Sequence, residues 1–336
     1  RVIVDLVPNH TSDRHEWFQA AVAAPPGSPE RARYVFRDGS GLRGSQPPNN
    51  WTSTFGGPAW TRLPSGDHGG GQWYLHLFAP EQPDLNWENP EVREAVYAMM
   101  RWWLARGVDG FRMDVVNFIS KTPDLPDGAV RPGELHGDGT PYFFSGPRIH
   151  EFMHEMHQEV YAAHDGALLV VGEMPGVTVE EAALFTDPDR EEVDMVFQFA
   201  HMSVDQGAVK WDRIPFSLPK LKGSLGQWQE GLGERGWNSL YWNNHDQPRV
   251  VSRFGDDEEF RVRSAKLLGT VLHLHRGTPY VFQGEELGMT NMAFETIEDF
   301  RDIESVNEYR TSVARGEDPA AVLDSLRFMS RDNART

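Results

Sequence analysis

At 336 residues the chain exceeds the usual single-domain size, but α/β barrels reach this length as one unit with insertions, so one large core is allowed. Its 50 Asp+Glu against 32 Lys+Arg give a formal charge of −18, which argues against nucleic acid or an anionic membrane as a partner. No apolar run reaches the roughly 18 residues that span a membrane, and the absence of Cys excludes disulfides and thiolate metal sites and fits a cytoplasmic location.

Residues 1–8 form a short β-branched apolar run ending at Pro8, the pattern of a buried parallel strand, and a core strand at Arg1 leads to the expectation of more chain upstream. From 11 to 83 the chain turns dense in Pro and Gly with short aromatic runs such as 73–78, which reads as an inserted subdomain of small strands after the first barrel strand (1–10). Asn89 and Pro90 then open a helix, with Val92, Val96, Met99 and Trp103 expected on one face and Gly107 as its end. A strand at 108–114, a polar loop at 121–147, a helix around Ile149, Phe152, Met153 and Met156, and a strand at 167–173 follow. Further helices are expected at 179–185, 218–232, 258–275 and from 302 to 315, alternating with strands at 193–199, 238–244 and 278–283.

This gives six strands with helices between them, and therefore an α/β fold. A doubly wound sheet fits the same count. Position favours a (β/α)8 TIM barrel, because polar side chains stand where most strands stop: Asn9 and His10, Arg112 and Asp114, Glu173, His245 and Asp246, and Glu285 and Glu286. Six strands cannot close such a barrel, so it is read as incomplete, with 84–336 as the remainder of the barrel and two strands expected upstream of Arg1.

Three of these strand ends carry acids suited to chemistry. Asp114 has Arg112 two positions earlier on the same strand face, and a nearby cation favours an ionised carboxylate; a structural ion pair fits the two residues equally. Glu173 ends an apolar run that would set its carboxyl against hydrophobic walls, as a general acid needs, although a helix N-terminal charge has the same signature. His245 and Asp246 could bind sugar hydroxyls and oppose positive charge. A transition metal is the other reading of such a pair, but no second His stands at ligand spacing, and no metal is assigned. With 11 Trp, 19 Phe and 8 Tyr the chain also has rings to stack on the apolar face of a pyranose. Converging carboxylates of this kind suit glycosidic bond cleavage.

The motifs resemble glycoside hydrolase family 13, the α-amylase family, in order: DLVPNH at 5–10, QPDLN at 82–86, GFRMDV at 110–115, GEMP at 172–175 and NHD at 244–246. The resemblance implies Asp114 as nucleophile, Glu173 as acid/base and Asp246 as transition-state stabiliser, with His10, Arg112 and His245 binding glucose. FRMDVVNFISK at 111–121, GEMPG at 172–176 and RDNAR at 331–335 are most similar to oligo-1,6-glucosidases and dextran glucosidases. That likeness implies Phe55, Phe78 and Gln82 as pocket walls and Arg331 and Arg335 as residues closing a pocket for the non-reducing glucose. It also implies Val115 as a residue favouring α-1,6 over α-1,4 linkages, a bias of about 1–3 kcal/mol.

The implied activity is exo-acting, retaining hydrolysis of terminal α-1,6-linked, or α-1,4-linked, glucose from short oligosaccharides. A transglycosylase, sucrose isomerase or trehalose-6-phosphate hydrolase of the same family, and a catalytically inactive scaffold subunit, are the competing readings. No cofactor is assigned to the residues present. The family's earlier strands, which often carry a calcium-binding loop, and its C-terminal β-domain are not found in these 336 residues, so a calcium site is left to the upstream part.

Overall fold

The structure, a computed structural model, describes residues 1–64, 70–233 and 235–335. The chain forms two compact units, Arg1–Val196 and Phe197–Thr336.

The first unit is built on parallel strands β1 (Val4–Leu6), β5 (Gly110–Met113) and β8 (Leu169–Glu173), with β9 (Met195–Phe197) following at the unit boundary. They lie side by side in the order β1-β5-β8-β9, as consecutive strand–helix–strand crossovers require. Register is tight: Asp5 sits opposite Arg112, and Arg112 opposite Val171. Gly110 permits this approach, because a Cβ there would lie 1.9 Å from the Leu169 carbonyl oxygen.

Between β1 and β5 the inserted stretch makes an antiparallel sheet in the order β2-β4-β3, from β2 (Phe36–Asp38), β3 (Trp60–Arg62) and β4 (Gln72–Leu75). Residues 65–69, within the expected insertion, lie outside the described residues. The insertion also contains a helix that its loop-like composition did not announce, α1 (Glu16–Ala23). The 121–147 segment, expected as a loop, carries a short hairpin of β6 (Ala129–Val130) and β7 (Gly137–Asp138) and a helical turn, α3 (Thr140–Phe143). It is anchored to the insertion: Trp51 Nε1 donates to the Pro126 carbonyl at 2.7 Å, and Leu125 and Phe143 share one buried cluster with Trp51, Trp60, Leu75 and Leu77.

Helix α2 (Pro90–Leu104) starts as expected, with Asn89 accepting from the Glu91 N–H at 2.9 Å. Its buried face is Val92, Val96, Tyr97, Met100 and Leu104, whereas the expected Met99 and Trp103 are 41% and 37% exposed. The 92–96 pair fits two stripes, and the one continuing at i+4 is the stripe that packs. Helix α4 (Ile149–Met156) buries its four expected residues, and α5 (Val179–Phe185) carries a Thr178–Glu181 capping box.

The second unit holds α6 (Leu218–Gly231), the parallel pair β10 (Ser239–Leu240) and β11 (Thr278–Pro279), α7 (Val250–Phe254), α8 (Arg261–His273), α9 (Ile303–Ala314) and α10 (Pro319–Met329). All six expected strands are thus present, each shorter than the run that marked it, and β1 with β5, β5 with β8 and β10 with β11 pair in parallel. Helix α10 was not expected. No helix among the described residues is long and apolar enough to cross a membrane.

Two buried polar networks hold these units. In the first, the Lys121 ammonium meets Asp84 Oδ2 at 2.9 Å, Asn9 Oδ1 at 3.0 Å and the Phe118 carbonyl at 2.9 Å. Asp84 also accepts from Asn9 Nδ2 at 3.0 Å and from the Leu77 N–H at 2.9 Å. The end of β1, the end of the insertion and the chain after β5 are joined at one ion pair. Lys121→Met would leave Asp84 buried without its cation, and urea unfolding should show a loss of about 3–5 kcal/mol.

In the second unit, buried His201 donates from Nε2 to the Tyr241 carbonyl at 2.8 Å, while the Gln198 amide donates to its Nδ1 at 3.0 Å. Burial pushes its pKa down to about 4, against the opposing pull of the Tyr241 carbonyl. As pH falls below about 6.5 the unfolded chain takes up a proton that the folded one refuses until about 4. Stability is therefore complete above that window and falls through it. His201→Gln should flatten the stability profile between pH 7 and 4 by on the order of 3 kcal/mol relative to the parent, read by denaturant titration at each pH.

Candidate active site

Parallel pairing determines the first cluster. Because Arg112 is opposite Val171, Asp114 on β5 and Glu173 on β8 both lie two residues further on and face the same side as Arg112. The guanidinium joins them, with Nη1 at 2.6 Å from Asp114 Oδ1 and 2.9 Å from Asp5 Oδ1, and Nη2 at 2.6 Å from Glu173 Oε1. Burial opposes the Arg112 charge, but Glu173, Asp114 and Asp5 outweigh it and raise its pKa. Glu173 is 4% exposed, as its apolar strand foretold. The expectation of hydrophobic walls omitted two polar partners, since its two oxygens face Arg112 and the Val115 N–H, the latter at 3.3 Å from Oε2.

Val115 is buried and lies in the left-handed region at φ 36° and ψ 43°. For a β-branched residue this is strained backbone, costing on the order of 1–3 kcal/mol, and it directly follows Asp114.

His10 stands beside this cluster. The Gln82 side-chain nitrogen lies 3.1 Å from its Nε2, and Gln82 is itself oriented by accepting from the Ala79 N–H at 3.1 Å. Burial lowers the His10 pKa more than Asp84 and Asp114 raise it, and Lys121 adds to the lowering, so the neutral ring is favoured near pH 7. Phe78 packs on His10 with ring centroids 5.0 Å apart, Phe55 lies 5.3 Å from Phe78, and Phe118 stacks beneath Phe78 at 5.8 Å. The structure thus brings Asp114, Glu173, Arg112, Val115, His10, Gln82, Phe78 and Phe55 into one neighbourhood of the first unit.

The second unit has its own cluster. Asp246 Oδ2 lies 3.2 Å from His245 Nε2, and its Oδ1 lies 2.7 Å from Arg331 Nη1. Arg331 reaches Asp302 at 3.2 Å and Glu304 at 3.0 Å, and Lys210 joins Glu304 at 2.6 Å. Burial opposes the Arg331 charge, and Asp246, Glu304 and Asp302 override it. Arg331, expected to close a pocket, is also the cation that holds Asp246. The Arg335 side chain lies outside the described residues.

Sequence reasoning missed Asp5, Asp84 with Lys121, and the Asp302, Glu304 and Lys210 partners of Arg331. Only Asp5 left a signal, as an acid inside an apolar strand, and its partner follows once β1 is registered against β5. Among the described residues no three His, Asp or Glu side chains are grouped as a metal site would need.

The family description "Alpha amylase, catalytic domain" matches residues 1–336. An oligo-1,6-glucosidase of Parageobacillus thermoglucosidasius is 53% identical over 338 aligned residues, covering 100% of this chain and 58% of that protein. The crystal structure of Bacillus licheniformis trehalose-6-phosphate hydrolase superposes with TM-score 0.87 at 45% identity, covering 100% of this chain and 58% of that one. The trehalulose synthase of Pseudomonas mesoacidophila MX-45 does so with TM-score 0.89 at 40% identity and the same coverage. The chain therefore spans less than two thirds of the length of these relatives.

Replacing Arg112 by Gln should remove the shared cation while keeping a hydrogen-bonding side chain. Turnover by the protein that carries this chain should fall roughly 10²–10³-fold, as when one preorganised charge-stabilising donor is lost; steady-state kinetics with retained thermal unfolding is the check.

Proposed function

The chain belongs to the α-amylase catalytic-domain family, and from that premise we propose that the protein carrying it is an exo-acting, retaining α-glucosidase that removes terminal α-1,6-linked glucose from short oligosaccharides. The observation that carries this reading is the single guanidinium binding Asp114 and Glu173 side by side at the ends of adjacent strands.

In the proposed reaction Asp114 attacks the anomeric carbon while Glu173 protonates the departing glycosidic oxygen. Glu173 then takes a proton from water, which releases glucose from Asp114 with its configuration retained. Arg112 binds the nucleophile and holds it in line, and His10, Phe78, Phe55 and Gln82 present one neutral ring, two aromatic faces and an amide to a sugar. The family resemblance assigns Asp246 to opposing positive charge on a sugar ring and His245 to binding hydroxyls. The six strands are read as part of a (β/α)8 barrel, with 11–83 as the inserted subdomain after its first strand here. The 53% identity to an oligo-1,6-glucosidase supports the α-1,6 preference over the phosphorylated-disaccharide and isomerase readings that the two structural relatives favour.

Isomaltose should be hydrolysed with release of α-glucose, and Asp114→Ala should abolish this while leaving sugar binding measurable by calorimetry; conversion of sucrose into an isomer in place of hydrolysis would favour the isomerase. Val115→Thr should shift the isomaltose-to-maltose ratio of kcat/KM towards maltose by roughly 10-fold or more, the discrimination expected of one small pocket group.

A further inference from the structure

The left-handed backbone at Val115 has no local cause. A Val gains nothing from φ 36°, and Gly or Asn would adopt it without the steric cost. Two demands meet there. The peptide plane between Asp114 and Val115 aims its N–H at Glu173 Oε2 at 3.3 Å, and the chain must turn at once into the 3-10 turn Val116–Phe118. That turn places Phe118 beneath Phe78 and delivers its carbonyl to Lys121 at 2.9 Å. Only a sharp turn at residue 115 satisfies both.

The side chain supplies what holds the strain. Val115 is buried in the cluster formed with Trp60, Leu75 and Leu77 of the insertion and Phe118 and Phe143 of the following segment. The two oxygens of Glu173 thereby receive unlike donors, since Oε1 meets the charged Arg112 Nη2 at 2.6 Å and Oε2 meets a neutral amide.

We propose that Val115 is a positioning residue whose backbone N–H, donated to Glu173 Oε2, fixes the orientation of the acid's carboxyl group, with the packed insertion holding that N–H in place. The inference rests on the glucosidase reading and deepens it. No new bond is invoked: the Glu173 proton passes to the leaving oxygen as the glycosidic bond breaks, and Glu173 regains one from water in the second step.

The test replaces Val115 by its α-hydroxy analogue in the protein that carries this chain, exchanging the amide for an ester. Side chain and turn are kept and the donor is deleted. Turnover is compared on isomaltose, whose leaving group needs a proton, and on α-glucosyl fluoride, whose leaving group needs little acid assistance. Isomaltose kcat should fall roughly 10–100-fold, part of the contribution of general acid catalysis, while α-glucosyl fluoride changes less than about 3-fold. The alkaline limb of the isomaltose profile should move to higher pH, because the lost N–H had favoured the carboxylate. Leu77→Ala, in the same buried cluster, keeps the donor and every side chain assigned to the sugar while loosening the packing around Val115, so the same split between substrates is expected, and this variant serves if the ester protein does not fold.

Equal losses on both substrates, or no loss on either, would overturn the assignment. A parent protein that turns over neither substrate would instead overturn the glucosidase reading on which it rests.

Discussion

The first unit is organised around one positive charge. Arg112 meets carboxylates from three adjacent strands, Asp5 on β1, Asp114 at the end of β5 and Glu173 on β8. A slip of one residue between β5 and β8 would turn Arg112 to the opposite face. Two carboxylates about 4 Å apart at an effective dielectric near 20 repel by roughly 4 kcal/mol without an intervening cation. The register of the sheet and the electrostatics of the site are therefore the same constraint, and the Gly110 approach to Leu169 serves both.

A second charge performs the equivalent task for the insertion. Lys121 uses its three donors on Asp84, Asn9 and the Phe118 carbonyl, and Asp84 accepts in return from Asn9 and Leu77. The pair is nearly dry, so its value lies in specificity of placement more than in net stability. It fixes the chain on either side of His10, Phe78 and Phe118, the side chains that flank the carboxylates. In the second unit Arg331 repeats the pattern around Asp246, with Asp302 and Glu304 as additional partners. Each of the three candidate acids is thus held by an arginine.

Much of this was legible in the chain. Charged or polar side chains stood where most of the six strands stop, and the three acids are among them. The Arg112 and Asp114 contact followed from the two-residue strand period. What stayed hidden depends on which elements meet. Asp84 and Lys121 are 37 positions apart and reveal nothing until the insertion folds back on the end of β1. The packed face of α2 was misassigned after Val96, where Met99 and Met100 are equally apolar and only the neighbouring strands decide between them. Helices α1 and α10 were passed over because their surroundings are rich in loop-forming residues. Propensity argues against the Val115 conformation outright.

That last conflict is informative about where the fold spends its stability. A buried glutamate, a partly buried arginine and a β-branched residue in the left-handed region are each unfavourable alone, and all three meet around Glu173. Local rules are expected to fail at functional sites, where surrounding packing must overdetermine the outcome. Here that packing comes from the insertion, through Trp60, Leu75 and Leu77 in the buried cluster they share with Val115, and from the Lys121 lock. The insertion is then more than a wall for a sugar. A cavity opened at Leu77 would loosen the buried cluster that contains Val115 without altering any residue assigned to the sugar, so packing changes in the insertion should act through orientation of the acid, whereas changes at Phe55, Phe78 or Gln82 should act through binding.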